Sequence, residues 1–442
     1  MSLPVNDSAA AAATEARGYG PALAVLACLF FIWGFITVIN NTLLPHLRAV
    51  FDLNYTQTTL LESTWFIAYL AVSLPSAWLI ARAGYRRAMV IGLLIMAGGA
   101  LLMVPAARIP SYGVVLAALF IIASGITLLQ VAANPYVAVV GPPETSSARL
   151  NLVQAFNSLG TTLAPLFGGY LILARSASGT AASGAHLTLA ERMADAQSVQ
   201  LPYLIVAAVL VLLAVLIATF PLPDIGAAMR RGGRDEPHEH KRPPGGTLWA
   251  HPNLVFGVLA IFVYLIAEIG VSNLFINFVS QPDIGNLTHA AASNYLFLLW
   301  SGMMVGRFLG SWVMRYVPAE RVLAGFSIGA ALAVALVVLG SGHLALWSLI
   351  SIGLFHSIMF PTIFTLGIRG LGSLTEEGAG LLIMAIAGGA LVIMQGALAD
   401  AFGLQLSFLL TGACELYVLF YALWGAKPAQ ATAAGEAAAG SL

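Results

Sequence analysis

The segment PDIGAAMRRGGRDEPHEHKRPPGG, residues 223–246, is the longest polar stretch between the two tails of this 442-residue chain. It is too charged, and too rich in glycine and proline, to cross a bilayer. The sequence on either side is oily. A helix needs about 20 apolar residues to cross ~30 Å of hydrocarbon. Scanning outward for such runs predicts helices over 22–45, 58–82, 88–107, 111–140, 148–174 and 201–221 before the segment. Six more follow it, over 253–280, 290–315, 320–340, 343–368, 377–400 and 404–425. The segment is therefore read as a linker, 222–250, between two six-helix bundles, 22–221 and 251–426, with tails 1–21 and 427–442 expected to be disordered.

Composition points the same way. The chain is 59% hydrophobic and 9% charged, against about a quarter charged in a soluble domain. The expected class is an all-α integral membrane protein, with lipid as the partner of most of its surface. Nineteen basic and nineteen acidic residues cancel, leaving no basic face for nucleic acid. Cys28 and Cys414 each lie in an apolar run and read as small core residues. The N-terminus lacks a basic stretch leading into an apolar core and does not read as a cleaved signal peptide. No glycine-rich phosphate loop is present, and His238 and His240 of the linker are a weak metal signal. No cofactor and no metal are predicted. The acids in the spans are scattered singly, so no enzyme is expected. A sugar receptor that does not transport is the alternative of a different class.

Fifteen of the nineteen Lys and Arg residues fall on one side of this layout; only Arg48, Arg108, Arg175 and Arg192 fall on the other. Cationic loops stay in the cytoplasm. Both termini and the linker are therefore placed there, in a plasma membrane of bacterial inner-membrane type. Sliding one half over the other brings Asn40 onto Asn273, and in a second register Gln130 onto His356 and Pro135 onto Pro361. With the six-plus-six layout, these matches predict two parallel, pseudo-symmetric bundles with a cavity between them near mid-membrane.

A polar side chain inside an apolar helix is costly unless it meets a partner or lines a wet cavity. In RLNLVQAFNSLGTTLAP (149–165), Asn151, Gln154, Asn157 or Ser158, and Thr161 fall at three- and four-residue spacing and form one stripe. Thr127, Gln130 and Asn134 repeat the pattern in the fourth span, and Asn40 and Asn41 crowd the end of the first. Carboxamides offer both a donor and an acceptor to vicinal hydroxyls without the desolvation cost of a charge. The pattern suits a neutral polyhydroxylated solute. Trp33, Trp65, Tyr136, Tyr264, Tyr295, Trp300 and Phe360 supply aromatic faces for a sugar ring. The competing reading is that such amides join helices to one another, at about 0.6 kcal/mol each.

Asn273 and Asn277 form a stripe in the seventh span, and His356 in the tenth is a further polar group for a hydroxyl. Glu268, about fifteen residues into the seventh span, is the prime group for binding a proton or cation, although it lies about 140° round the helix from Asn273. Glu62 is the second, unless it reaches the interface. Arg307 reads as a packing anchor, and Glu415 and Asp400 as structural or interfacial groups.

The loop ARAGYRRAMV (81–90) resembles a worn copy of the Gly-x-x-x-Asp-Arg-x-Gly-Arg-Arg signature of the major facilitator superfamily, with Ala81 where the acid belongs. Gly84 survives there as a turn residue. The segments WGFITVINNTLLPHL, LLQVAANPYVAVVGPPETSSARLNLVQAFNSLG and FPTIFTLGIRGLG resemble the fucose/glucose/galactose branch of that superfamily, over about residues 25–425. The resemblance implies the major facilitator fold, alternating access, and sugar contacts from Asn40, Asn41, Gln130, Gln154 and Asn157. Proton-coupled fucose transporters of the branch carry acids at the positions of Asn41 and Gln130, so coupling here is expected to fall to Glu268 or Glu62. The reading is a monomeric carrier that imports a neutral hexose such as glucose or galactose with a proton. An uncoupled or sodium-coupled carrier, or a fucose or N-acetylglucosamine substrate, is the alternative within transport.

Overall fold

The computed structural model describes residues 19–38, 55–108, 111–173, 200–223 and 247–428. Nearly all of them are helical. The first half contains α1 (Tyr19–Val38), α2 (Tyr55–Ala83), α3 (Tyr85–Arg108), α4 (Tyr112–Val139), α5 (Ser146–Leu173) and α6 (Gln200–Thr219). The second contains α7 (Pro252–Val279), α8 (His289–Val313), α9 (Ala319–Leu339), α10 (Gly342–His356, continued by Met359–Gly367), α11 (Thr375–Met384 and Val392–Phe402, joined by a 3-10 stretch) and α12 (Leu404–Phe420). Twelve helices stand where twelve spans were predicted. Among the described residues, eleven are long and apolar enough to cross a membrane. The exception, α5, carries the amide stripe. The two tails and most of the linker lie outside the described residues.

The surface shows why lipid is the solvent. Leu212, Leu332 and Ile393 expose 70%, 61% and 72% of their area, on helices whose other faces are packed. A helix apolar all round has no stable place in water. Burial is then a matter of close helix contact, and glycine permits it. A Cβ on Gly160 of α5 would lie 2.2 Å from the Phe31 carbonyl of α1, and one on Gly34 of α1 would lie 2.3 Å from the Asn157 carbonyl of α5. These two helices touch backbone to backbone, the close approach that small residues allow in membranes. The turn from α2 to α3 passes through Gly84 at φ +80°, the left-handed conformation that glycine adopts without strain.

The halves meet through a limited set of helices: α5 packs on α8 and on the second segment of α10, while α2 and α4 pack on α11. Two of these helices are broken. α10 leaves helical geometry at Ser357–Ile358, and α11 tightens to a 3-10 turn over Ala385–Leu391. Irregular backbone at membrane depth is tolerated where protein or a cavity covers it.

Candidate functional site

The amides of the first half lie on the inner faces of α4 and α5, where the stripe places them. Gln130 Nε2 donates to the Tyr69 hydroxyl of α2. Gln154 Nε2 donates to Asn134 Oδ1 at 3.2 Å, and Asn157 Nδ2 donates to the Phe30 carbonyl of α1 at 2.9 Å. Gln130, Asn134 and Gln154 are all buried, and Trp33 of α1 is buried as well, edge-on to Phe30 at 5.2 Å. Asn134 Nδ2 is buried with no partner among the described residues. Convergence on one open cleft is met only in part. Gln154 and Asn134 touch, while Gln130 and Asn157 are each held by a neighbouring helix. Asn40 and Asn41 lie outside the described residues, as does the side chain of Glu62.

One turn toward the start of α5, the stripe crosses to the other half. Asn151 Nδ2 donates to Thr362 Oγ1 at 3.1 Å, the Ser147 and Thr365 hydroxyls lie 2.6 Å apart, and Ser311 Oγ donates to the Ala148 carbonyl at 2.8 Å. The two halves are therefore closed on each other at the arginine-rich end. Beyond these contacts opens a cavity of about 710 Å³, lined by Glu144, Arg315, Glu320 and Arg369 among others. Arg369 and Glu320 form an ion pair at its edge. Arg149 binds the end of α4, donating to the Ala138 carbonyl at 2.7 Å and the Pro142 carbonyl at 2.6 Å.

In the second half, Asn273 and Asn277 are exposed on α7 and Trp300 on α8. They do not join the buried amides. His356 is not the free polar group expected. Its Nε2 lies 2.7 Å from Glu415 Oε1, with both side chains buried. Glu415, read from sequence as structural or interfacial, is fully buried and paired. The Tyr264 ring lies edge-on to His356 at 5.6 Å, and its hydroxyl donates to the His356 carbonyl at 3.1 Å. Half-buried Glu268 lies within electrostatic reach of Tyr264, as do Arg307 and Glu415. Arg307 donates to the Ser357 carbonyl of α10 and, across the halves, to the Gln154 carbonyl and Ser158 Oγ of α5. The expected packing anchor thus ties the two bundles together.

One polar group, and the partner of another, escaped the sequence reading. Glu415 had a signal, being an acid in the apolar run LLTGACELYVLF, but nothing in that run names its partner. Gln395 of α11 is fully buried, with neither amide atom partnered among the described residues, and its Oε1 lies 1.9 Å from where a Cβ on Gly270 would sit. Leaving such groups unsatisfied costs about 1–3 kcal/mol.

Comparison with known proteins fits this architecture. The chain is 44% identical over 427 residues to the glucose/galactose transporter of Brucella abortus biovar 1 (strain 9-941), covering 96% of this chain and 99% of that protein. It is 31% identical over 430 residues to the L-fucose-proton symporter of Escherichia coli (strain K12), covering 94% and 96%. The solved structure of the transporter FucP in its outward conformation superposes with a TM-score of 0.84 at 30% identity, covering 92% of this chain and 99% of that one. The Major Facilitator Superfamily profile matches residues 25–394. Twelve helices, two bundles joined through α2, α5, α8 and α11, and these end-to-end likenesses agree: the chain belongs to the Major Facilitator Superfamily.

Proposed function

We propose that this protein is a secondary transporter of the bacterial inner membrane that imports a neutral hexose of the glucose or galactose type together with a proton. The reading is carried by the 44% identity, over nearly the whole of both chains, to a glucose/galactose transporter. The chemistry of the first half supports it. Gln130, Asn134, Gln154 and Asn157 supply uncharged donors and acceptors on two adjacent helices, with Trp33 at hand as an aromatic face. Asn40 and Asn41 extend that set from the first span. Asn273, Asn277 and Trp300 of the second half are the proposed contacts from the opposite wall, while the ring of His356 is taken up by Glu415.

Transport proceeds by alternating access. The arginine-rich end is cytoplasmic under the positive-inside rule, with both termini on that side. Contacts between α5 and the helices α8 and α10 hold that end shut, which corresponds to an outward-facing state. Opening toward the cytoplasm requires breaking Asn151–Thr362, Ser147–Thr365 and the bonds of Arg307 to α5. Glu268, with Glu62 as the other acid, is the proposed coupling group. The protein works as a monomer, because each bundle finds its partner within the chain.

A second reading follows from the amides at positions 41 and 130, where fucose symporters carry acids: the protein is an uncoupled or sodium-coupled carrier. Proteoliposomes loaded with unlabelled sugar separate the two. Counterflow of labelled glucose or galactose in preference to fucose and N-acetylglucosamine is the expected result, with accumulation driven by an inward proton gradient and indifferent to sodium. Binding without counterflow of any hexose would leave a receptor in place of a carrier.

A further inference from the structure

Behind α10, charged groups that the sugar contacts leave unused meet at the point where the helix is broken. Two carbonyls freed by the break at Ser357–Ile358 are taken by side chains, that of His356 by the Tyr264 hydroxyl at 3.1 Å and that of Ser357 by Arg307 Nε at 3.0 Å. The His356 imidazole turns the other way, to Glu415 on α12 at 2.7 Å, with side-chain exposures of 2% and 0%. Glu415 Oε2 is buried with no partner among the described residues.

The charge count of this dyad depends on one proton. A neutral imidazole that donates its Nε2 hydrogen to the carboxylate leaves the pair with a net charge of about −1, costly in a buried site. Uptake of one proton forms an N–H bond at Nδ1, breaks no other bond and leaves an imidazolium–carboxylate pair of zero net charge. The ionisable groups against the pair are Tyr264 from α7, whose ring meets His356, and Cys414 from α12 itself; Glu268 from α7 and Arg307 from α8 join the cluster through Tyr264. Arg307 and Glu268 offset each other. The proton on the dyad therefore decides whether the cluster is neutral or negative.

The same cluster sits at the root of the contacts that close the halves. Beyond the break, α10 carries Thr362 and Thr365 to α5, and Arg307 reaches Gln154 and Ser158 of α5. We propose that the His356–Glu415 dyad binds the transported proton, and that its protonation sets the break in α10 and so the closure of the two bundles. Half-buried Glu268 is the entry to it, and neutralising the dyad lets Arg307 stay on α5, whereas a negative dyad draws it away.

This proposal rests on the transport reading, and its test keeps the two separable. The full-length protein and its Glu415→Gln variant are reconstituted in liposomes, and sugar accumulation under an imposed pH gradient is divided by counterflow rate in the same preparation. The ratio is expected to fall at least tenfold in Glu415→Gln and in His356→Gln, with loss of sugar-induced proton uptake reported by an internal pH dye. An unchanged ratio with proton uptake intact overturns the dyad, even if Glu268→Gln lowers it. Counterflow without pH-driven accumulation in the unmutated protein overturns it as well while leaving sugar transport standing. Absence of hexose counterflow in that protein overturns the functional reading itself. If a single variant fails to reach the membrane, the double variant His356→Gln/Glu415→Gln, which removes both ionisable groups and retains a side-chain hydrogen bond, carries the same ratio test.

Discussion

Helices α4 and α5 of the first half carry amides that stay uncharged and bond to one another or to a neighbouring helix, whereas α7, α8, α10 and α12 of the second half gather two carboxylates, a guanidinium and an imidazole around Tyr264. Both halves bury polarity, but in different currencies. An amide pair exchanges donors and acceptors without a change of charge, which suits a solute that must be released again. A charged cluster responds to one proton. Under the proposed function, the contrast matches sugar recognition chiefly to the first half and coupling chiefly to the second.

The strongest way to break this comparison is to unpair the buried charges. Replacing Glu415 by Leu leaves the buried His356 ring without its partner and is expected to destabilise the protein by about 3–5 kcal/mol, while His356→Leu/Glu415→Leu together recovers most of that loss. Thermal unfolding of detergent-solubilised protein measures both; single losses that simply add in the double variant would mean the pair has no special standing. Next in size is Gly160→Val, whose side chain would meet the Phe31 carbonyl. Overpacking of that kind costs about 1–3 kcal/mol and should lower the same melting temperature by separating α1 from α5.

Gln154→Leu sharpens the first half. Removing one interhelical hydrogen bond costs only about 0.6 kcal/mol of stability in a membrane, yet hexose counterflow is expected to fall at least tenfold if, as proposed, the lost donor and acceptor also serve the sugar. A stability loss with counterflow intact would reduce Gln154 to a helix fastener. The smallest effect is expected for Asn273→Ala, whose side chain is exposed on α7, within about 0.5 kcal/mol in stability. Its counterflow decides whether that face meets the sugar or lies outside the path.

The fold was largely legible from residues. Predicted spans such as 111–140 and 253–280 match α4 (Tyr112–Val139) and α7 (Pro252–Val279) to within a residue, because a run of apolar side chains ended by polar or turn residues is a local property. The tenth and eleventh spans were predicted as continuous, and their breaks at Ser357 and Ala385 were missed. Pro361, four residues past Ser357, has no N–H for that carbonyl and was a signal for the first break; no proline marks the second. The break in α10 is sustained by Tyr264 and Arg307, which come from other helices. The site was legible by half. Helical spacing put Gln154 and Asn157 on one stripe, but left open whether they meet water or each other.

Residue order alone determined that this chain lives in lipid, how many times it can cross, where its halves divide and which faces of α4 and α5 are polar. Each of these follows from transfer of a side chain or backbone group between water and hydrocarbon, a cost set within one helical segment. Only the tertiary structure decided that His356 meets Glu415, fifty-nine residues away, and that Arg307 spans the bundles. Helical periodicity states which way a side chain points, and the packing of neighbouring helices states what it finds there.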